Sequence, residues 1–204
     1  MSIRETCSQT LMYISAETLI ELEQKYGAPS EVSLAYEMRP FEFDMVRRSR
    51  KHGRAHDVTL FIISESRIVV IKKPMYPEGA YRAPSGGIAP GEGFEEGTLR
   101  EGYEETGLTV ALESYLLRAR VKFTSAGQEI DWTTHVFTAL ATAGTLNPVD
   151  THEIVEARLA SIDELTGSIK EALLQSGSTG LRYRADLCDL VIEKLIEESF
   201  IAVS

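Results

Sequence analysis

The sequence predicts a single α/β domain with an N-terminal extension, and three observations carry this. Two apolar, β-branched runs, Val58 to Ile63 and Ile68 to Ile71, flank the polar stretch Ser64 to Arg67 as the strands of a hairpin do. Glu95 to Thr106 is rich in helix formers and stops at Gly107, and Leu187, Leu190, Val191 and Leu195 repeat at helical spacing near the end. At roughly 150 residues per domain, the 204 residues leave room for one domain and not for a second of full size.

The remaining elements follow in order. Leu19, Leu22 and Tyr26 share a helical face between an N-cap at Ser15 and a stop at Gly27. Val32, Leu34, Tyr36 and Met38 alternate with polar residues as a half-buried strand, which Pro40 ends, and Phe41, Met45 and Val46 continue as a helical turn or two. Residues 1–54 therefore read as an extension without its own core, and 55–204 as the domain. Lys72 to Gly87 is a loop in which Pro74, Pro77, Gly79, Pro84, Gly86 and Gly87 turn the backbone repeatedly. Leu108 to Ala111, Tyr115 to Phe123 and Ile130 to Leu140 read as three strands. Ser161 and Glu164 form a capping box before one helix containing Ile169, Ala172 and Leu173. Gly177 and Gly180 separate it from the last helix.

Composition narrows the function. Lys and Arg number 21 and Asp and Glu 31, a net charge of −10 with a pI near 5.0. That balance speaks against general nucleic-acid binding, which needs a clustered positive surface, and a phosphate substrate would need cations as intermediaries. No apolar run is long enough to cross a bilayer, and Met1 to Leu11 lacks a basic region followed by an apolar one, so a soluble, cytoplasmic protein with no membrane partner is expected. Cys7 and Cys188 have no partner at metal-ligand spacing and read as reduced thiols.

The chemistry is concentrated between Gly86 and Leu108, GGIAPGEGFEEGTLREGYEETGL. On a helix, Glu101, Glu104 and Glu105 at i, i+3 and i+4 project from one face, while Leu99, Gly102, Tyr103 and Thr106 face the protein. Three like charges repel unless a cation neutralises them, and grouped carboxylate oxygens suit hard divalent ions. A solvated acidic face is the commoner meaning of such a pattern, and the helical spacing alone leaves both readings open. Arg100, the only cation of the segment, is placed to pair with Glu92 or Glu104.

The wider spacing resembles the Nudix box, GX5EX7REUXEEXGU with U a bulky aliphatic. Gly86, Glu92, Arg100, Glu101, Glu104, Glu105, Gly107 and Leu108 match it, eight of nine specified positions. The departure is Gly102 at the first U, where a glycine costs helix stability and removes a packing side chain, which a close backbone approach would compensate. Pro84, Ser85, Gly86 and Gly87 look like the family's entry loop, with Ser85 in place of a glycine. His152 to Leu165 is similar to the segment that often closes its active site, so the resemblance spans residues 55 to about 200.

The resemblance implies an α/β/α sandwich with a mixed sheet and a pyrophosphohydrolase, a hydrolase acting on phosphoric anhydrides. Its substrate would be a nucleoside diphosphate linked to another moiety, such as a nucleotide sugar or an ADP-ribose-like compound. Carried over by position, Glu101, Glu104 and Glu105 would hold Mg²⁺ or Mn²⁺, with a backbone carbonyl of Ser85 or Gly86 completing the shell and Arg100 and Glu92 orienting them. The general base comes from the box helix or from a distant loop, where Glu153 and Glu156 are the candidates. Their alternative is ordinary surface charge. An N-terminal extension in such members often builds a homodimer contact.

Substrate specificity is less legible. The downstream proline associated with ADP-ribose hydrolases is missing from Lys122 to Gly127, as is the tyrosine associated with dinucleoside polyphosphate hydrolases, and no NADH or coenzyme A signature is present. Lys72, Lys73 and Arg82, shortly before the box, are the candidate phosphate contacts. Arg47, Arg48, Arg50, Lys51 and Arg54 form a basic run that reads first as a solvated helix end complementing the helix dipole, and second as a phosphate or acidic-partner contact. Trp132 and Tyr81 read as core aromatics before stacking platforms, and His135 as structural. A rival class, a binding or sensor module that holds a nucleotide without cleaving it, would be marked by degraded box glutamates. A purely structural interaction protein would need the acidic cluster to be coincidental.

Overall fold

The computed structural model describes residues 14–50 and 54–197. The readings of Met1 to Leu11, Cys7 and Lys51 fall outside them. The elements in order are α1 (Ala16–Tyr26), β1 (Ser30–Glu37), α2 (Pro40–Ser49), β2 (His56–Ser64), β3 (Arg67–Lys72), β4 (Ser85–Gly86), α3 (Phe94–Thr106), β5 (Leu108–Ser125), β6 (Gln128–Gly144), β7 (Glu156–Ala160), α4 (Ile162–Thr166), α5 (Ser168–Gln175) and α6 (Thr179–Glu197).

Seven strands make one mixed sheet in the order β1-β5-β6-β2-β3-β7, with β4 paired to β2. β1 runs parallel to β5 and β2 parallel to β6, while the other pairs are antiparallel. The stretch before residue 55 thus supplies an edge strand to the sheet. β2 is buried on both faces, and its alternating residues divide between two cores. Val58, Leu60 and Ile62 pack with Phe94 of α3 and Leu22 of α1, whereas Phe61 packs with Leu165, Ile169, Leu187 and Val191 of α4, α5 and α6. The result is the α/β/α sandwich. No helix among the described residues is long and apolar enough to cross a membrane. Desolvation pushes the free, half-buried Cys188 thiol up to about 12, which keeps it protonated at neutral pH.

Four local expectations need correction. Leu108 to Ala111 and Tyr115 to Phe123 are one strand, β5, because a register shift against β6 at Leu112/Ser114 absorbs the interruption between them, with one more on either side of it. The capping box at Ser161 and Glu164 is formed, but the helix it opens ends at Thr166, and a second one starts at Ser168. Gly167 makes that break: its backbone folds so tightly that a Cβ would stand 2.8 Å from the Asp163 carbonyl oxygen. Gly180 lies inside the first turn of α6 rather than before it, since the Glu42 carboxylate accepts from the Ser178 hydroxyl and the Gly180 N–H. Tyr103 is 48% exposed, one residue and so about 100° round the helix from the buried Gly102.

Candidate active site

The box loop is fixed before the helix begins. β4 pairs Gly86 with Val58 and Ser85 with Thr59, and the Pro84 carbonyl accepts from Leu60 N–H at 2.9 Å. α3 then crosses behind the loop and ends at Gly107, whose φ of 76° is left-handed and whose N–H closes on the Tyr103 carbonyl. Gly102 proves to be a close-approach position: a Cβ there would stand 2.9 Å from Leu60 Cδ1. The box departure therefore lets α3 settle directly on β2.

The three glutamates have distinct surroundings. Glu105, 4% exposed, accepts from Ser85 N–H at 2.7 Å and from Arg82 at 3.3 Å. Arg82 is itself buried and donates to Ser85 Oγ, the Ala83 carbonyl and Tyr76 Oη. Burial would lower its pKa, but Tyr76 and Glu105 more than offset this and hold it above its usual value. Glu101 sits against Gly86, where a Cβ would stand 1.9 Å from its Oε2. Desolvation pushes the Glu101 carboxyl upward, Glu105 and Glu104 add to that, and Arg100 only partly opposes it. Glu104 is 41% exposed and accepts from Arg100 at 2.8 Å.

Arg100 organises the face from behind. Its Nε and Nη2 grip Glu92 at 2.6 and 2.9 Å, its Nη1 reaches Glu101 at 3.1 Å and Glu104, and its Nη2 also donates to the Gly87 carbonyl at 3.2 Å. Glu92 is held below the usual carboxylate range chiefly by Arg100. It also accepts from Ala89 N–H, and Gly97 leaves room for it, since a Cβ there would stand 2.6 Å from Glu92 Oε2. Among the described residues no three acidic, histidine or cysteine side chains close into a metal cage. The donor set itself, carboxylates beside a loop backbone with one desolvated glutamate, fits a hard divalent ion.

A cleft of about 420 Å³ opens over this face. Of the residues singled out from sequence, Ser85, Gly86, Gly87, Glu101, Glu104, Glu105, Arg54, Lys73, Arg82, Trp132 and Glu153 line it. Arg100 and Glu92 stand behind it. Lys72 pairs with Glu78 instead, and Glu156 accepts from Tyr81 Oη, so neither lines the cleft. Glu153 is bonded to Lys73 at 2.7 Å. Its loop is held by the Glu104 carbonyl, which accepts from Val149 and Asp150 N–H, and by Asp150 Oδ1, which accepts from His152 and Glu153 N–H.

Sequence reading missed Asp150, although an aspartate two residues before a turn is a known signal for this backbone bonding. It also missed Asp57 and Arg184 at the cleft floor. Asp57 accepts from Trp132 Nε1 at 2.9 Å, Arg184 at 2.9 Å and the Thr134 hydroxyl, which in turn accepts from Tyr183. Within an apolar strand a lone aspartate carries no spacing signal, and its partner lies on the last helix. His135 is buried against Tyr115 Oη and does not line the cleft.

With this geometry in hand, comparison with family models matches the NUDIX domain over residues 53–178. The chain belongs to the Nudix family. This assignment makes the protein a Nudix pyrophosphohydrolase, and the retained box glutamates agree with it. Comparison with curated proteins gives no match. Among solved structures, the Nudix chain is similar to a UDP-X diphosphatase at 19% identity, covering 71% of each chain with a TM-score of 0.44. A MutT NUDIX hydrolase from Burkholderia pseudomallei is 28% identical over 60% of this chain and 97% of that one, with a TM-score of 0.44. An ADP-ribose pyrophosphatase from Streptococcus suis is 17% identical over 53% of this chain and 74% of that one, with a TM-score of 0.39.

Proposed function

We propose that this Nudix protein hydrolyses the pyrophosphate linkage of a nucleoside diphosphate joined to another moiety, a nucleotide sugar or an ADP-ribose-like compound, with Mg²⁺ or Mn²⁺. One observation carries the reading: Glu101, Glu104 and Glu105 of α3 meet the Ser85–Gly86 strand along one wall of the cleft. These three carboxylates, with a Ser85 or Gly86 carbonyl, would hold the ions. A bound divalent ion supplies charge neutralisation of the diphosphate and activation of water for attack on phosphorus.

The protein's own groups set up that chemistry. Ser85 N–H and Arg82 fix the Glu105 carboxylate, and Arg100 fixes Glu101 and Glu104 from the side away from the substrate. Glu153 would take a proton from water; it lines the cleft, and Asp150 holds its turn. Lys73 and Arg82 bring positive charge to the cleft of a protein whose net charge is −10. The reading includes a homodimer built by residues 1–54, which a monomeric mass by light scattering would remove.

The test is incubation with Mg²⁺ or Mn²⁺ and a panel of nucleoside diphosphate compounds, with phosphate release measured after phosphatase coupling. Glu104→Gln is the control, chosen because this residue is partly exposed. Turnover that the control abolishes supports the reading and names the substrate. Nucleotide binding without turnover on any compound would replace it with the sensor module.

A further inference from the structure

Two consecutive glycines admit opposite charges to the same cleft. The space a side chain would need at Gly86 is taken by the Glu101 carboxylate, and at Gly87 by the Arg54 guanidinium, whose Nη1 lies 1.2 Å from where a Cβ would stand. Neither glycine has a positive φ, so the backbone suits alanine at both, and the nearest obstructions are the Glu101 and Arg54 side chains. Successive Cα atoms are about 3.8 Å apart. Arg54 and Glu101 thus line one cleft, each against one of two neighbouring glycines.

Arg54 differs from the other cations of the cleft. Lys73 pairs with Glu153, Arg82 with Glu105 and Arg184 with Asp57. Arg54 donates its Nε to the Ser49 carbonyl at 3.1 Å, and among the described residues no carboxylate forms an ion pair with it. It also stands apart from the basic run in which it occurs: Arg47 pairs with Asp44 on α2, while Arg54 follows that helix and turns inward. A planar guanidinium with free N–H groups matches phosphate oxygens.

We propose that Arg54 is a substrate-contacting residue, its guanidinium resting on Gly87 and binding phosphoryl oxygens of the diphosphate that the carboxylate wall addresses. The role rests on the hydrolysis proposed above, and Gly87 is part of it because any side chain there displaces the guanidinium.

The test uses the full chain with Arg54→Ala, Arg54→Lys, Gly87→Ala and the double variant Arg54→Ala/Gly87→Ala. Steady-state kinetics are measured on a compound the wild type cleaves, and binding of inorganic pyrophosphate with Mg²⁺ by calorimetry. Losing a charge-assisted phosphate contact is expected to raise KM and weaken pyrophosphate binding about tenfold or more. Arg54→Lys recovers part of the loss, Gly87→Ala reproduces it, and the double variant is no worse than Arg54→Ala alone. An Arg54→Ala variant within twofold of wild type in both measurements overturns the proposal, as do single effects that multiply in the double variant. Melting curves show which variants are folded, and should Gly87→Ala fail, the two Arg54 variants decide. If the wild type cleaves nothing, the hydrolysis reading falls separately, and pyrophosphate affinity alone decides: no wild-type binding, or equal binding by Arg54→Ala, sinks the role.

Discussion

The Glu101 carboxylate occupies the volume that a side chain at Gly86 would fill, with Oε2 only 1.9 Å from the position of a Cβ. The glycine that opens the box and the glutamate fifteen positions later are thus one steric unit, and they specify each other. Gly86→Ala should leave the fold intact, because the obstructing atoms are the far end of a flexible side chain. It should lower kcat roughly 100-fold through misplacement of Glu101. Kinetics beside a circular dichroism melt check this, and wild-type turnover would contradict it.

Gly102 makes the opposite kind of prediction. Alanine there gains up to about 1 kcal/mol of helix propensity, but its Cβ would press on Leu60 Cδ1 at 2.9 Å in a filled core. Overpacking costs about 1–3 kcal/mol, so Gly102→Ala should be net destabilising by urea unfolding. The bulky aliphatic of the usual box should be worse still.

Acid should weaken the fold through two buried imidazoles. Burial, the first cause in both, lowers His56 to about 4 and His135 to about 3 from an ordinary 6.5, and the Asp57 carboxylate opposes it only in part. The unfolded chain then binds more protons below pH 6.5. Stability is complete above that pH and falls as pH drops toward the folded values, by up to about 1.4 kcal/mol per pH unit for each imidazole. Glu101 acts in the opposite sense, since its raised carboxyl pKa makes protonation favour the fold. Urea midpoints between pH 7 and 4.5 in a Glu101→Gln background separate the two, and a flat profile there would refute the histidine contribution.

Asp150 allows the base to be tested without touching it. Asp150→Ala removes the acceptor for His152 and Glu153 N–H in an exposed turn. It should cost no more than about 1 kcal/mol of stability while lowering kcat about tenfold or more, in the same direction as Glu153→Gln. Matching loss of kcat in Glu156→Gln, whose carboxylate holds Tyr81, would move the base elsewhere.

Most of the helix and strand pattern was legible because local signals agreed with the tertiary result. Ser15 and Gly27 bound α1, and Gly107 ends α3, as their types require. The box wall was legible because its parts sit at fixed spacing in one continuous stretch. What escaped depends on distant partners. The polar interruption in β5 is absorbed by bulges against β6, Gly167 breaks a helix by its own fold against Asp163, and Lys72 turns to Glu78 rather than to the cleft. Asp57 and Arg184 meet across 127 positions, beyond any local pattern.

That last pairing bears on the order in which the protein matures. All box residues have appeared in the chain by Leu108, and β4 and α3 can settle on β2 through near neighbours in sequence. The floor beneath them stays open until α6 arrives and Arg184 meets the charge of Asp57, with Tyr183 reaching Thr134 in the same turn. Contacts of such long sequence separation form late, since the chain must first close a large loop. A nascent chain can thus carry every recognised motif and still lack a finished pocket. Competence waits on α6, which ties the onset of chemistry to a helix far from the box in sequence.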